Sequence, residues 1–121
     1  MAKTQPTNWA VGRWLIESMD QWDRGYIDEA VRGYFEFDTR GSGSFQFGYV
    51  QGQIDYRPGE RDGKSAVEFS WDGNDEMDSA QGRGWFVLDG DELKGMFFFH
   101  QGDDSGIVLK REPEKKSKKQ K

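Results

Sequence analysis

The chain has no cysteine and a single histidine in 121 residues. The missing thiols exclude disulfides and thiolate metal sites and fit a reducing compartment. One histidine without cysteine also leaves too few ligands for an ordinary zinc site. No segment approaches the roughly 18 apolar residues of a membrane span. The opening MAKTQPTNWAVGRW carries no apolar run resembling a signal peptide. A cytoplasmic protein with no membrane partner and no cofactor is the expectation. Aliphatic residues are scarce as well: Leu, Ile and Val number 14, against 18 aromatic residues. With Phe added, the large apolar set is about 19% of the chain, just under the level (~20%) at which a charged chain is suspected of disorder. The rings decide the matter, because disordered chains are poor in aromatics and each ring buries roughly 150–250 Å². One folded domain with an aromatic core follows.

Charge is divided along the chain. From Lys110 onward there are seven Lys or Arg and two Glu, a net of +5; the whole chain is −5, so residues 1–109 carry −10. An acidic body disfavours nonspecific phosphate contact, so nucleic acid is not an expected partner. The sequence divides into a flexible N-terminal segment 1–8, a folded domain 9–111 and a disordered basic tail 112–121.

Sixteen glycines and the lack of a long 3.6-residue period argue against helix. Only 26-YIDEAV-31 is read as a helical turn, or else an irregular connection. Strands are expected near 9–19, 32–38, 43–57, 65–71, 82–88, 93–100 and 106–111, separated by turn-rich stretches. Of these, 72-DGNDEMDSAQ-81 reads as a long acidic loop. Turns of about 4 to 7 residues imply hairpins. The predicted fold is therefore all-β, a single antiparallel meander of seven to eight strands closed into a small barrel, with a β-sandwich as the alternative. Within 43-GSFQFGYVQGQIDY-56 the apolar side changes parity. A β-bulge near Gly48–Val50 would bend one long strand and put Phe45, Phe47, Val50, Ile54 and Tyr56 on one interior face.

Two features at opposite ends of the chain, 12-GRW-14 and Arg111, resemble the calycin superfamily, the lipocalin-like and avidin-like small barrels. The resemblance implies that Gly12, Trp14 and Arg111 are structural, with Arg111 packed over Trp14 at the closed end. It also implies a common use, binding a small molecule inside the barrel. The motifs FEFD, GSGSFQFGYVQG, FSWDGNDEMD and HQGDDSG resemble those of small uncharacterised bacterial proteins, a resemblance that spans about residues 9–111 and implies no activity.

Candidate sites follow from residue type and parity. Asp72, Asn74, Glu76 and Asp78 alternate like calcium-loop oxygens. However, Met77 stands where that loop needs glycine, and Arg83 where it needs glutamate, so a solvated acidic loop is preferred and no metal is assigned. His100 precedes 101-QGDDS-105, where Asp103 or Asp104 and Ser105 could complete a triad, but no Gly-x-Ser-x-Gly elbow is present. Glu68 and Arg83 have parities that could bring one of them into the barrel, where a charge is costly unless paired. Apolar residues on both faces of 82–88 and 93–100 call for an outer cover, either the N-terminal segment, a partner or a second copy, with a homodimer favoured. Nothing assembles a nucleophile, base and orienting group, so enzymatic activity is not expected. The expected function is noncatalytic binding of a small apolar or aromatic ligand in the barrel, lined by Phe45, Phe47, Tyr49, Phe69, Trp71, Trp85 and Phe97, with Tyr49, Arg83 and His100 as polar anchors. The alternative is a protein-interaction module with a solid barrel, acting through residues 72–81 and an exposed aromatic face.

Overall fold

Eight strands and one helical turn make up the described residues, 9–112, of the computed structural model. The strands are β1 (Gly12–Met19), β2 (Tyr34–Phe37), β3 (Ser42–Phe47), β4 (Val50–Arg61), β5 (Lys64–Asp75), β6 (Asp78–Asp89), β7 (Glu92–Phe99) and β8 (Asp104–Arg111), and α1 (Arg24–Ile27) lies between β1 and β2. Each strand pairs antiparallel with the next, and β8 returns to β1, so the meander closes into a barrel without a free edge. The expected segment 1–8 and all but Glu112 of the expected tail lie outside the described residues. No helix among them is long and apolar enough to cross a membrane.

Three sequence expectations are corrected. The stretch 43–56 is a hairpin and not one bulged strand: Phe47 faces Val50 across the two-residue turn Gly48–Tyr49. Gly48 has φ +57°, the sign that the first position of a II′ turn demands. A side chain there would also collide with the Tyr26 ring, at 2.3 Å from a would-be Cβ. The parity switch is therefore the turn itself. Second, residues 72–81 are not a loop. Asp72–Asp75 and Asp78–Gln81 are paired strand, joined by Glu76–Met77. Third, the helical turn sits two residues earlier than expected, at 24–27, where the Asp23 carboxylate caps the Tyr26 N–H.

The sheet's irregularity lies instead in β1, between Ile16 and Ser18, opposite β8. The Ile16 carbonyl beside it accepts hydrogen bonds from Arg24 Nη1 (3.0 Å) and Arg32 Nη1 (2.9 Å), and the Glu17 carbonyl accepts one from Arg24 Nη2. Asp28 holds both arginines, at 3.1 and 3.2 Å. Burial would raise the Asp28 pKa, but the Gly33 N–H and the two guanidiniums outweigh it and hold the carboxyl below its ordinary value.

The interior is filled by rings. Phe35, Phe37, Phe45, Phe47, Phe86 and Phe97 are fully buried, and Trp14, Phe69 and Trp71 nearly so. Phe97 stacks on Trp71 with centroids 5.1 Å apart and meets Phe45 and Phe47 edge-on at 5.3 and 5.4 Å. Such rings fit because glycines occupy neighbouring interior positions. Phe45 lies across from Gly52, Trp71 from Gly82, and Phe69 from Gly84. A Cβ at Gly84 would stand 2.4 Å from the Phe69 ring. Each ring leans into the slot that its neighbour's missing side chain leaves open.

Where the first and last strands pair, the Arg111 guanidinium lies 4.1 Å from the centroid of the Trp14 ring, the contact that the resemblance implied. It also donates to the carbonyls of Val11 (2.6 Å) and Trp9 (2.5 Å), while the Trp14 indole donates to Ala10. Gly12 has φ +117°, and a Cβ there would sit 2.7 Å from Arg111 Nη1, so only glycine suits that position. Burial lowers the Arg111 pKa from its ordinary value. In a double-mutant cycle by urea denaturation, Trp14→Leu and Arg111→Gln should show a coupling of about 0.5–2 kcal/mol. Strictly additive losses would mean that the stacked contact contributes nothing.

Candidate functional site

In β4 and β5 every second side chain points outward, and the register aligns these residues into rows across the barrel wall. One row runs Gln53, Asp72, Gln81 and, beyond the last pair, His100, whose N–H donates to the Gln81 carbonyl at 2.7 Å. The next runs Asp55, Ser70, Arg83, Phe98 and Asp104. Together with Gln101 and Gly102 in the β7–β8 turn, these residues line an outer groove of about 860 Å³. Gln101 is held at φ +57°, a left-handed conformation that costs a non-glycine residue roughly 1–2 kcal/mol. Beyond that turn a second hollow of about 470 Å³ is lined by Trp22, Asp75, Ser79, Phe99 and Asp103.

Several cations elsewhere on the barrel are paired, Arg13 with Glu36 at 3.2 Å and Lys94 with Asp89 at 3.2 Å. Among the described residues, none of the polar side chains in the two groove rows has a hydrogen bond or an ion pair, although Arg83 shares its wall with three carboxylates. Its close partner is the Phe98 ring, 5.2 Å from guanidinium carbon to centroid. The Trp71 indole passes beneath Gly82 and donates to the Phe98 carbonyl at 3.1 Å, which fixes the groove floor from inside.

The structure divides the residues singled out from sequence. Phe45, Phe47, Phe69, Trp71 and Phe97 are interior, packed on one another. Tyr49, Arg83, Trp85 and His100 are not interior. Tyr49 occupies the β3–β4 turn and is 41% exposed. Trp85 points outward, while Phe86 takes the interior place. The reason is that Gly82 and Gly84 hold the inward positions of β6, so its visible apolar residues suggest the wrong face. Glu68 and Arg83 are both exposed and face Trp85 and Ser70 respectively, so there is no buried ion pair.

The outer rings are covered from within the chain. Arg61 lies 4.1 Å from the Trp85 centroid and Arg13 lies 4.1 Å from that of Tyr34. On the strands for which the sequence called for an outer cover by the N-terminal segment, a partner or a second copy, the Arg61 guanidinium covers Trp85.

Asp72 and Asn74 lie on the outer face of β5, and the Asn74 amide donates to the Glu76 carbonyl (2.7 Å). Among the described residues, no three acidic or histidine side chains are grouped to hold a metal ion. Ser105, offered by sequence as a nucleophile, is 1% exposed. Its hydroxyl accepts from the N–H groups of Asp20 and Gln21 (3.0 and 3.1 Å) and donates to the Gly106 carbonyl (2.8 Å), which pins the segment after β1 to β8. Gln53, Asp55, Ser70, Gln81, Phe98 and Gln101 escaped sequence reasoning, because only the strand register places them side by side. Comparison of the chain with protein-family models, curated proteins and solved structures returns no match.

Proposed function

We propose that the chain is a noncatalytic binding protein that holds a small molecule in the outer groove of β4–β8, with the barrel as its rigid support. The observation that carries this reading is a wall of unpartnered donors and acceptors around Arg83 and Phe98, in a groove within the usual size range of ligand sites, roughly 300–1,000 Å³. The same rings first assigned to a ligand inside the barrel are packed on one another, which favours the outside over the inside. The up-and-down meander and the Trp14–Arg111 stack support a place among calycin-like barrels, with an unusual site. A cytoplasmic location remains part of the proposal, supported by the absence of cysteine.

Native mass spectrometry of the protein purified from its source tests this reading and gives the oligomeric state in the same spectrum. A retained small molecule should be lost from Arg83→Ala and Asp72→Ala and kept by the interior variant Phe45→Leu. The reverse pattern would put the ligand among the rings.

A second reading, a protein-interaction module, is favoured by one observation. Met77, at the tip of the β5–β6 hairpin, is 94% exposed beside Asp75, Glu76 and Asp78. Such a knob suits a partner with an apolar pocket rimmed by basic groups.

A further inference from the structure

We infer that the groove takes an uncharged, polyhydroxylated ring, a carbohydrate, seated across Phe98 and Arg83. This inference rests on the groove reading above and names its ligand class.

Charge narrows the choice first. Asp55, Asp72 and Asp104 face the groove together with one guanidinium. An anion such as a phosphate would meet three carboxylates for one cation. A cation drawn to Asp55 and Asp104 would meet the Arg83 guanidinium between them in the same cross-strand row, and among the described residues no three acidic or histidine side chains are grouped to hold a metal ion. An apolar ligand would strip water from all four charged groups and return no hydrogen bonds, a penalty of several kcal/mol. What remains is a neutral molecule that hydrogen-bonds densely.

The lining then selects hydroxyls. The carboxylates only accept, the guanidinium only donates, and the amides of Gln53, Gln81 and Gln101 do both. A ligand serving all of them must donate and accept at neighbouring points, which each sugar hydroxyl does. The spacing agrees: positions within a row lie about 5 Å apart and successive rows about 7 Å apart, by strand geometry. One ring can thus reach both rows at once. Phe98 is half-buried with the Arg83 guanidinium over its ring, so the C–H face of such a ring would pack on the part of Phe98 that the guanidinium leaves open. The lack of internal hydrogen bonds on these side chains leaves their capacity free for the ligand.

The test uses the full-length ¹⁵N-labelled chain and two-dimensional amide spectra. Probes are gluco-, manno- and N-acetylglucosamine oligosaccharides of two to four units, each to about 10 mM, a level that nearly saturates a site with a Kd of about 1 mM. Spermidine and inorganic phosphate are the charged controls. At least one oligosaccharide should move the amides of 81–83 and 98–102 saturably. Phe98→Ala and Gln81→Ala should each weaken that binding about tenfold, while amides of the opposite wall keep their wild-type positions. If no oligosaccharide moves the groove amides, the inference is overturned. If spermidine or phosphate moves them and no sugar does, the sugar inference falls and the groove reading stands. If a sugar moves the amides of Phe45, Phe69 and Phe97 and leaves the groove amides still, both fall.

Discussion

Gly82→Ala is expected to destabilise the barrel by about 2–6 kcal/mol, a large part of the roughly 5–15 kcal/mol that holds a domain of this size together. A Cβ at this position would stand 1.8 Å from the Phe98 carbonyl oxygen and 2.7 Å from the Trp71 indole nitrogen. Neither neighbour can yield easily. The carbonyl belongs to β7, and the indole is bound to it at 3.1 Å within a packed core. The methyl group must either push β6 and β7 apart or expel the indole. Overpacking costs roughly 1–3 kcal/mol, and an indole N–H left buried without its acceptor about 1–3 more. Urea denaturation measures the loss, with Gly59→Ala as control. Nothing lies within 4 Å of a Cβ at Gly59, so its unfolding free energy should stay within about 0.5 kcal/mol of the parent's. If Gly82→Ala is as mild as its control, the close approach of β6 and β7 is not as described.

Phe97→Ala is the second large effect, expected at about 3–5 kcal/mol. The ring is fully buried where Phe45, Phe47, Trp71 and Phe99 converge, with centroids 5.1 to 5.5 Å from its own. Strands closed into a cylinder cannot collapse into the void as a loop would, so both the lost burial and the cavity contribute. For a domain near 100 residues each kcal/mol lowers Tm by about 4–8 °C, so thermal unfolding should fall by at least about 12 °C. A drop of only a few degrees would mean that the interior repacks freely. The ligand test depends on the same point, because a plastic interior would reopen the barrel to a guest.

The fold was legible where the interior side chains are large. In 65–71, Val67, Phe69 and Trp71 alternate as expected and all point inward. Trp14 and Arg111 could be matched from opposite ends because the resemblance carried by 12-GRW-14 and Arg111 implied that contact. Legibility failed where glycine holds an interior position. In β6 the inward residues include Gly82 and Gly84, whose space is filled by Trp71 and Phe69 from the next strand, so the pattern within that one strand points outward. It failed again at the turns. Tyr49 looks like a strand residue and Met77 like part of a long loop, yet each occupies a two-residue connection whose first member has a positive φ, namely Gly48 and Glu76. The groove was illegible for a further reason. Its rows draw single residues from five strands, and only the hydrogen-bond register brings Asp55 beside Ser70, or Arg83 beside Phe98.

The filling of one strand's vacancy by another strand's ring also bears on how such a sequence can drift over generations. The nearest neighbours of a Cβ at Gly52 would be side chains, the Phe45 ring at 2.9 Å and the Trp71 ring at 3.0 Å. Descendants that enlarge residue 52 should therefore survive only where position 45 or 71 has already shrunk, so that the three change as one heritable unit even though no two of them are adjacent in the chain.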